Sequence, residues 1–283
     1  TFEDILKGLN EPSTWTLSSD TGGSYEAFGR TLNINNIELL RGGTDTDTFI
    51  FEEGLSFFGS LDGGSGMDTL DNRGLLTSVT LTLTDIGAID GFDGVASNID
   101  SKFANINQIF GGAGSDKLIG MDDLSTWSIL ADSQEQYSSN NRTLIYTGME
   151  NLQGGSASDI VNFFGTAIHI GMIDVGIGYD TLDYSFYGTP VQIKLNNSTL
   201  SGFTGDASGI SAGFANVDRV VGSDGSDVFY GTDNASVWNL VGTGNGYYTN
   251  NGQQLDYTAV ESLYGGVDSD LFIIANSIIN VGE

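Results

Sequence analysis

The chain has no cysteine. Disulfides and thiolate metal sites are therefore excluded, and any ion must be held by oxygen or nitrogen. Proline is almost missing, with two in 283 residues, so this is not a Pro-rich disordered segment. Positive charge is scarce as well: nine Lys and Arg stand against 37 Asp and Glu, for a formal net charge of −28. That balance argues against nucleic acid and anionic membrane surfaces as partners, and it invites cations. His169 is the single histidine and is expected on the surface of a strand; with no clear serine elbow either, catalysis has little support. No run of 18 apolar residues occurs, so neither a membrane-spanning helix nor membrane insertion is expected, and Thr1 does not open a signal peptide.

Glycine (41 residues) and aspartate (27, against ten glutamates) are what the chain has in excess. A solubilising surface has no reason to prefer Asp so strongly, whereas turns and compact metal cages do, because the short carboxylate stays near its own backbone. A purely solubilising role stays open for part of this charge.

The glycines and acids come together in one motif. Gly63-Gly64-Ser65-Gly66-Met67-Asp68-Thr69-Leu70-Asp71 and Gly111-Gly112-Ala113-Gly114-Ser115-Asp116-Lys117-Leu118-Ile119 both read G-G-x-G-x-D-x-U-x, with U a large apolar residue. Weaker copies begin at Gly42, Gly154, Val175, Gly222 and Gly265. All seven keep Asp at the sixth place (Asp47, Asp68, Asp116, Asp159, Asp180, Asp227, Asp270) and an apolar residue at the eighth (Phe49, Leu70, Leu118, Val161, Leu182, Phe229, Phe272). The glycines allow a tight bend that aims carbonyl oxygens at one point, the Asp adds a carboxylate there, and U starts an inward-facing strand. Such an all-oxygen cage suits Ca²⁺.

The motif resembles the calcium-binding nonapeptide of RTX proteins, a β-solenoid repeat. The resemblance implies an ion between turns stacked on neighbouring coils, with Asp47 matched to Asp68 and Asp159 to Asp180. Asp62 and Asp174, just before the second motif of each pair, are candidate outer ligands. Asp116 and Asp227 face degenerate turns, and Asp270 closes the series. RTX nonapeptides run end to end, whereas these are isolated by other strands, which leaves the ion number open and argues against a plain β-roll. The alternative is a Gly-Asp turn held by Asx hydrogen bonds alone.

A longer period frames the motifs. Trp15, Trp127 and Trp238 are 112 and 111 residues apart, and Tyr25/Tyr137/Tyr248, Glu38/Glu150/Glu261 and Asp47/Asp159/Asp270 keep the same phase. The reading is one continuous domain over 1–283, an excised piece of a longer array, with units 4–115, 116–226 and a partial 227–283. Motif starts are spaced 21, 48, 43, 21, 47 and 43 residues apart, one or two multiples of about 22. Vacant places hold degenerate turns at Asp90–Gly94 and Gly205–Gly209. The expected fold class is all-β, a parallel β-solenoid (β-helix or β-roll-like) with coils of about 22 residues, five to a unit. Some twelve coils at about 4.8 Å would make a rod of about 60 Å. Val79–Thr84 and Val191–Leu195 alternate as strands, and Phe2–Leu9 is expected as strand or an irregular cap.

Aromatics recurring once per unit (the three Trp, Tyr25/Tyr137/Tyr248, Phe49/Phe229/Phe272) suit a core better than a carbohydrate-binding strip. Glu38, Glu150 and Glu261 are expected to close turns against backbone amides. The whole chain resembles a segment of giant repetitive bacterial surface proteins. That resemblance implies a secreted, extracellular, calcium-stiffened stalk or spacer of an adhesin, not an enzyme, which folds on meeting external calcium. Its partners would be calcium ions, with cell-surface polysaccharide and neighbouring repeats as further candidates. The alternative is a glycan- or partner-binding module or a surface-layer lattice protein; a polysaccharide-acting β-helix enzyme ranks below both.

Overall fold

The computed structural model describes residues 4–131 and 134–275, and in them there is strand but no helix. The strands form two large, mostly parallel sheets of 14 and 16 strands. The chain divides into two compact units, Thr1–Asp122 with Glu135–Asn151, and Asp123–Gln134 with Leu152–Glu283.

In the first unit the chain alternates between two layers. β1 (Ile5–Lys7) lies in one layer; β2 (Ser13–Ser19), β3 (Gly22–Ala27) and β4 (Arg30–Asn35) form an antiparallel meander in the other. The chain then winds regularly through β5 (Leu39–Arg41), β6 (Asp47–Phe51), β7 (Ser60–Asp62) and β8 (Thr69–Asp71). Each of these pairs in parallel with the strand two before it or, for β5 and β6, with β1 and β2.

After β8 the chain skips two strand positions to β9 (Thr80–Ile86), then folds back through β10 (Phe92–Ala96) to β11 (Ile99–Ile106), which pairs in parallel with β7. β12 (Gln108–Phe110) returns to the other layer beside β8, and β13 (Lys117–Ile119) pairs with β9. The skipped positions are thus filled from behind. Beyond β14 (Ser125–Ile129), which belongs to the second unit, β15 (Glu135–Ser139) and β16 (Arg142–Thr147) complete the first, with β16 beside β12.

The second unit repeats the device in both layers. β14 pairs with β18 (Asp159–Gly165), and β17 (Asn151–Gln153) and β19 (Met172–Asp174) lie opposite. After β20 (Thr181–Tyr187), the meander of β21 (Gln192–Thr199), β22 (Gly202–Ala207) and β23 (Phe214–Val217) folds back onto β19. After β24 (Arg219–Val221) and β25 (Val228–Tyr230), β26 (Ser236–Gly242), β27 (Asn245–Asn250) and β28 (Gln253–Thr258) do the same onto β24. β29 (Ser262–Tyr264) and β30 (Asp270–Ile274) then pair with β25 and β26.

This path corrects the expected coil. Parallel partners are 21 residues apart at Leu40↔Leu61, Phe49↔Leu70 and Val161↔Leu182, but 34 apart at Trp15↔Phe49 and 42 at Leu61↔Phe103. The long steps hold an inserted hairpin, not a second coil. Asp90–Gly94 and Gly205–Gly209 are accordingly not vacant turns; β10 and β22 run through them. One 111-residue period, β2 to β13, therefore places six strands in each layer where five coils were expected.

Alternation puts the apolar faces of both layers together. Trp15, Trp127, Trp238, Tyr25, Tyr137, Tyr248 and the eighth-place residues Phe49, Leu70, Leu118, Val161, Leu182 and Phe229 are all buried. Phe272, expected in the core, is 43% exposed, because its strand β30 is a sheet edge. His169 departs from expectation in the opposite sense: it is buried and bridges Ile210. It stands where the first unit has Phe57, itself a buried bridge to Ile99, so the repeat places it in the core. Val79–Thr84 and Val191–Leu195 are strand-bearing with apolar residues inward, and β1 lies within the 2–9 stretch, of which Phe2 and Glu3 fall outside the described residues.

Candidate metal centres in the glycine–aspartate turns

Each motif is the turn between a strand of one layer and the next strand of the other. Its first glycine is packed against the neighbouring level: a Cβ on Gly42 would lie 2.1 Å from the Gly63 carbonyl oxygen. No other residue fits so close an approach without moving backbone.

The sixth-place acids fall into two classes. In five turns both carboxylate oxygens are occupied. Oδ2 accepts the amide of the second motif residue: Gly43 to Asp47 (2.7 Å), Gly112 to Asp116 (2.6 Å), Gly155 to Asp159 (3.0 Å), Ser223 to Asp227 (2.6 Å) and Gly266 to Asp270 (2.7 Å). Oδ1 accepts from another level. The hydroxyls of Ser13, Ser125 and Ser236 donate to Asp47, Asp159 and Asp270, and the amides of Val79 and Val191 donate to Asp116 and Asp227. These are closed turns, held by donors alone.

Asp68 and Asp180 differ. Their Oδ1 atoms accept the amides of Asp47 (2.8 Å) and Asp159 (2.7 Å), the sixth-place residues one level before, so the expected pairs are in contact. Their Oδ2 atoms are buried with no hydrogen-bond partner. The cause lies one residue before the motif. Asp62 Oδ1 takes the Gly64 amide (3.1 Å) and Asp174 Oδ1 takes the Gly176 amide (3.1 Å), the donor that closes the other five turns. Gly64 and Gly176 sit at φ +94° and +92°, the left-handed region that lets the amide turn outward. The other five motifs are preceded by Arg41, Phe110, Gln153, Val221 and Tyr264, none of which is an acid.

Asp62 and Asp174 are held by amides and not poised freely: Asn105 Nδ2 donates to Asp62 Oδ1 (2.8 Å) and Asn216 Nδ2 to Asp174 Oδ1 (2.7 Å). Asp62 Oδ2 also meets Arg41 Nε at 2.7 Å. Burial, followed by neighbouring acids, outweighs the one backbone hydrogen bond and pushes the carboxyls of Asp68 and Asp180 up to about 7. Asp218, whose Oδ2 accepts the Asp180 amide (3.0 Å), is pushed up to about 6, again chiefly by burial. Asp47 rises as well, from burial, against the pull of Ser13 and Gly43.

The glutamates act as expected. Oε2 of Glu38, Glu150 and Glu261 accepts the amide of Asp4 (2.9 Å), Asp116 (2.7 Å) and Asp227 (2.7 Å). Sequence reasoning missed the partners that sort the acids: Ser13, Ser125 and Ser236, Arg41, Asn105 and Asn216, and Asp90. The serines were legible in phase, at 112 and 111 residues.

Among the described residues no three His, Cys, Asp or Glu side chains form a ready-made metal cluster. The closed turns already present donors to both carboxylate oxygens and so offer a hard cation less than the open ones do. The residues that could hold one are Asp68 and Asp180, through an open oxygen each, with other oxygens completing the shell. A cavity of about 640 Å³ in the first unit, between Leu6, Leu9, Tyr25, Phe28 and Leu32, is apolar and brings no carboxylate pair together. Comparison of the chain with protein-family models, curated proteins and solved structures finds no match in any of the three.

Proposed function

We propose that this chain is a structural spacer: a parallel β-solenoid segment of a secreted, surface-attached bacterial repeat protein of the adhesin kind, stiffened by calcium at the two open turns. The observation that carries this reading is where the repeated residues spend their chemistry. The three Trp are buried to 2% exposure or less, the repeated Asp and Glu side chains accept backbone amides of neighbouring levels, and the repeated Ser hydroxyls donate to the Asp carboxylates. Repetition here serves stacking. A catalytic centre would be built once, in a cleft, and we propose no enzymatic role.

Asp68 and Asp180 would supply the carboxylates, and calcium would supply the positive charge their buried oxygens lack. The resemblance to RTX turns supports calcium as the ion and an extracellular site of action, where it is abundant. Melting of the chain with calcium and after chelation tests this: calcium should raise the midpoint by several degrees, and identical curves would remove the ion from the reading.

One observation favours a second reading, a binding face for polysaccharide or a protein partner. In the second unit Phe164 and Phe186 stack at 5.3 Å, with Phe186 63% exposed, where the first unit has Glu52 and Gly74. An aromatic pair with one exposed ring, which the repeat does not require, is a candidate contact surface. Glycan binding lost in Phe186→Ala would favour it over the spacer.

A further inference from the structure

The open turn of the first unit has a feature that its sister lacks. Asp90, in the bend between β9 and β10, reaches back over the Gly63–Asp68 turn, and its Oδ2 accepts the Gly66 amide at 3.0 Å. Its Oδ1 is buried without a partner, like Asp68 Oδ2. Two unsatisfied carboxylate oxygens thus belong to one turn.

The bend is fixed. Gly87 N donates to Gly91 O (3.0 Å), and Ile89 N donates to Asn105 Oδ1 (2.9 Å), while Nδ2 of that same Asn105 holds Asp62. Asp90 is not a motif residue, and the fold does not need an acid there: the equivalent place in the second unit, before Gly202-Phe203, is Ser201. A carboxylate oxygen buried without a partner is costly. An acid that the architecture does without, bound to the same turn as another acid with an unsatisfied oxygen, calls for an ion.

We propose that Asp68 and Asp90 together form a site for a hard divalent cation of the calcium class, with Asp90 as a ligand recruited from the inserted meander. This rests on the reading of Asp68 as an open acid and goes beyond it: Asp90 adds a second buried, unsatisfied oxygen, whereas at the Asp180 turn the neighbouring Asp218 accepts the Asp180 amide and adds none, so the first unit carries the stronger site and the second the weaker.

The test is calorimetric titration of calcium chloride into the chelator-treated full chain, comparing wild type, Asp90→Ser and Asp180→Asn. Serine at 90 is the residue with which the second unit already folds, and unchanged circular dichroism would confirm the fold. The proposal expects Asp90→Ser to weaken the tighter site by about tenfold or abolish it, while Asp180→Asn leaves that site as it was. Unchanged affinity and stoichiometry in Asp90→Ser would overturn the role of Asp90 while leaving calcium at the open turns standing. Absence of calcium binding to the wild-type chain would overturn both.

Discussion

Within the second unit two successive turns present the same aspartate in opposite states. Asp159 is enclosed by the Gly155 amide and the Ser125 hydroxyl; Asp180, paired to it through the Asp159 amide, keeps one oxygen buried and unsatisfied. The first unit repeats the contrast with Asp47 and Asp68. The motif is therefore not one device. The residue before it decides: an acid there takes the turn amide away from the sixth-place Asp and leaves that Asp with an empty oxygen. A consensus motif says where an acid will be, and its neighbour says whether the acid is free.

The contrast can be broken from either side. Removing a closed acid should cost most: Asp159→Ala leaves the Gly155 amide and the Ser125 hydroxyl without their acceptor, and denaturant unfolding should show a loss of about 2–4 kcal/mol. The open acid behaves otherwise. Asp180→Asn keeps an Oδ1 acceptor for the Asp159 amide and removes a buried charge, so without calcium at neutral pH it should be neutral or stabilising.

pH sharpens the comparison. The folded-state pKa values of Asp68 and Asp180 lie near 7, above the usual carboxylate value, so the folded chain holds protons that the unfolded chain has lost. In chelator, their contribution to stability should be greatest below about pH 4 and fall as pH rises towards 7. The slope of stability against pH should be shallower in the double variant Asp68→Asn/Asp180→Asn than in wild type; equal slopes would refute the assignment. Asp174→Val, which returns the Gly176 amide to Asp180, should lower the Asp180 pKa in an NMR titration. The smallest effect is expected from Arg41→Gln, which gives the first unit the residue that the second has at 153. Its half-exposed ion pair with Asp62 should cost no more than about 1 kcal/mol.

Much of this was legible in the chain itself. Apolar residues at the eighth place and the Trp phase mark the core, because a repeating level must bury the same position each time. Alternation from Val79 and from Val191 marks strands. The meanders were not legible as such: an inserted hairpin lengthens a level to nearly twice 21 residues, so spacing alone cannot separate it from a second coil, and Asp90–Gly94 and Gly205–Gly209 carry the glycine and polar residues of either. His169 was misplaced because polarity was weighed above phase; Phe57, 112 residues earlier, marks the position as buried. The split between closed and open acids rests on which amide faces which oxygen, and only Asp62 and Asp174 hinted at it.

The number of calcium ions bound per chain tests the division of the turns most directly. Equilibrium dialysis with metal analysis on the chelator-treated chain should find two, one for each open acid. Seven ions, one for every glycine–aspartate turn, would show that the closed acids bind metal as well and would contradict the account.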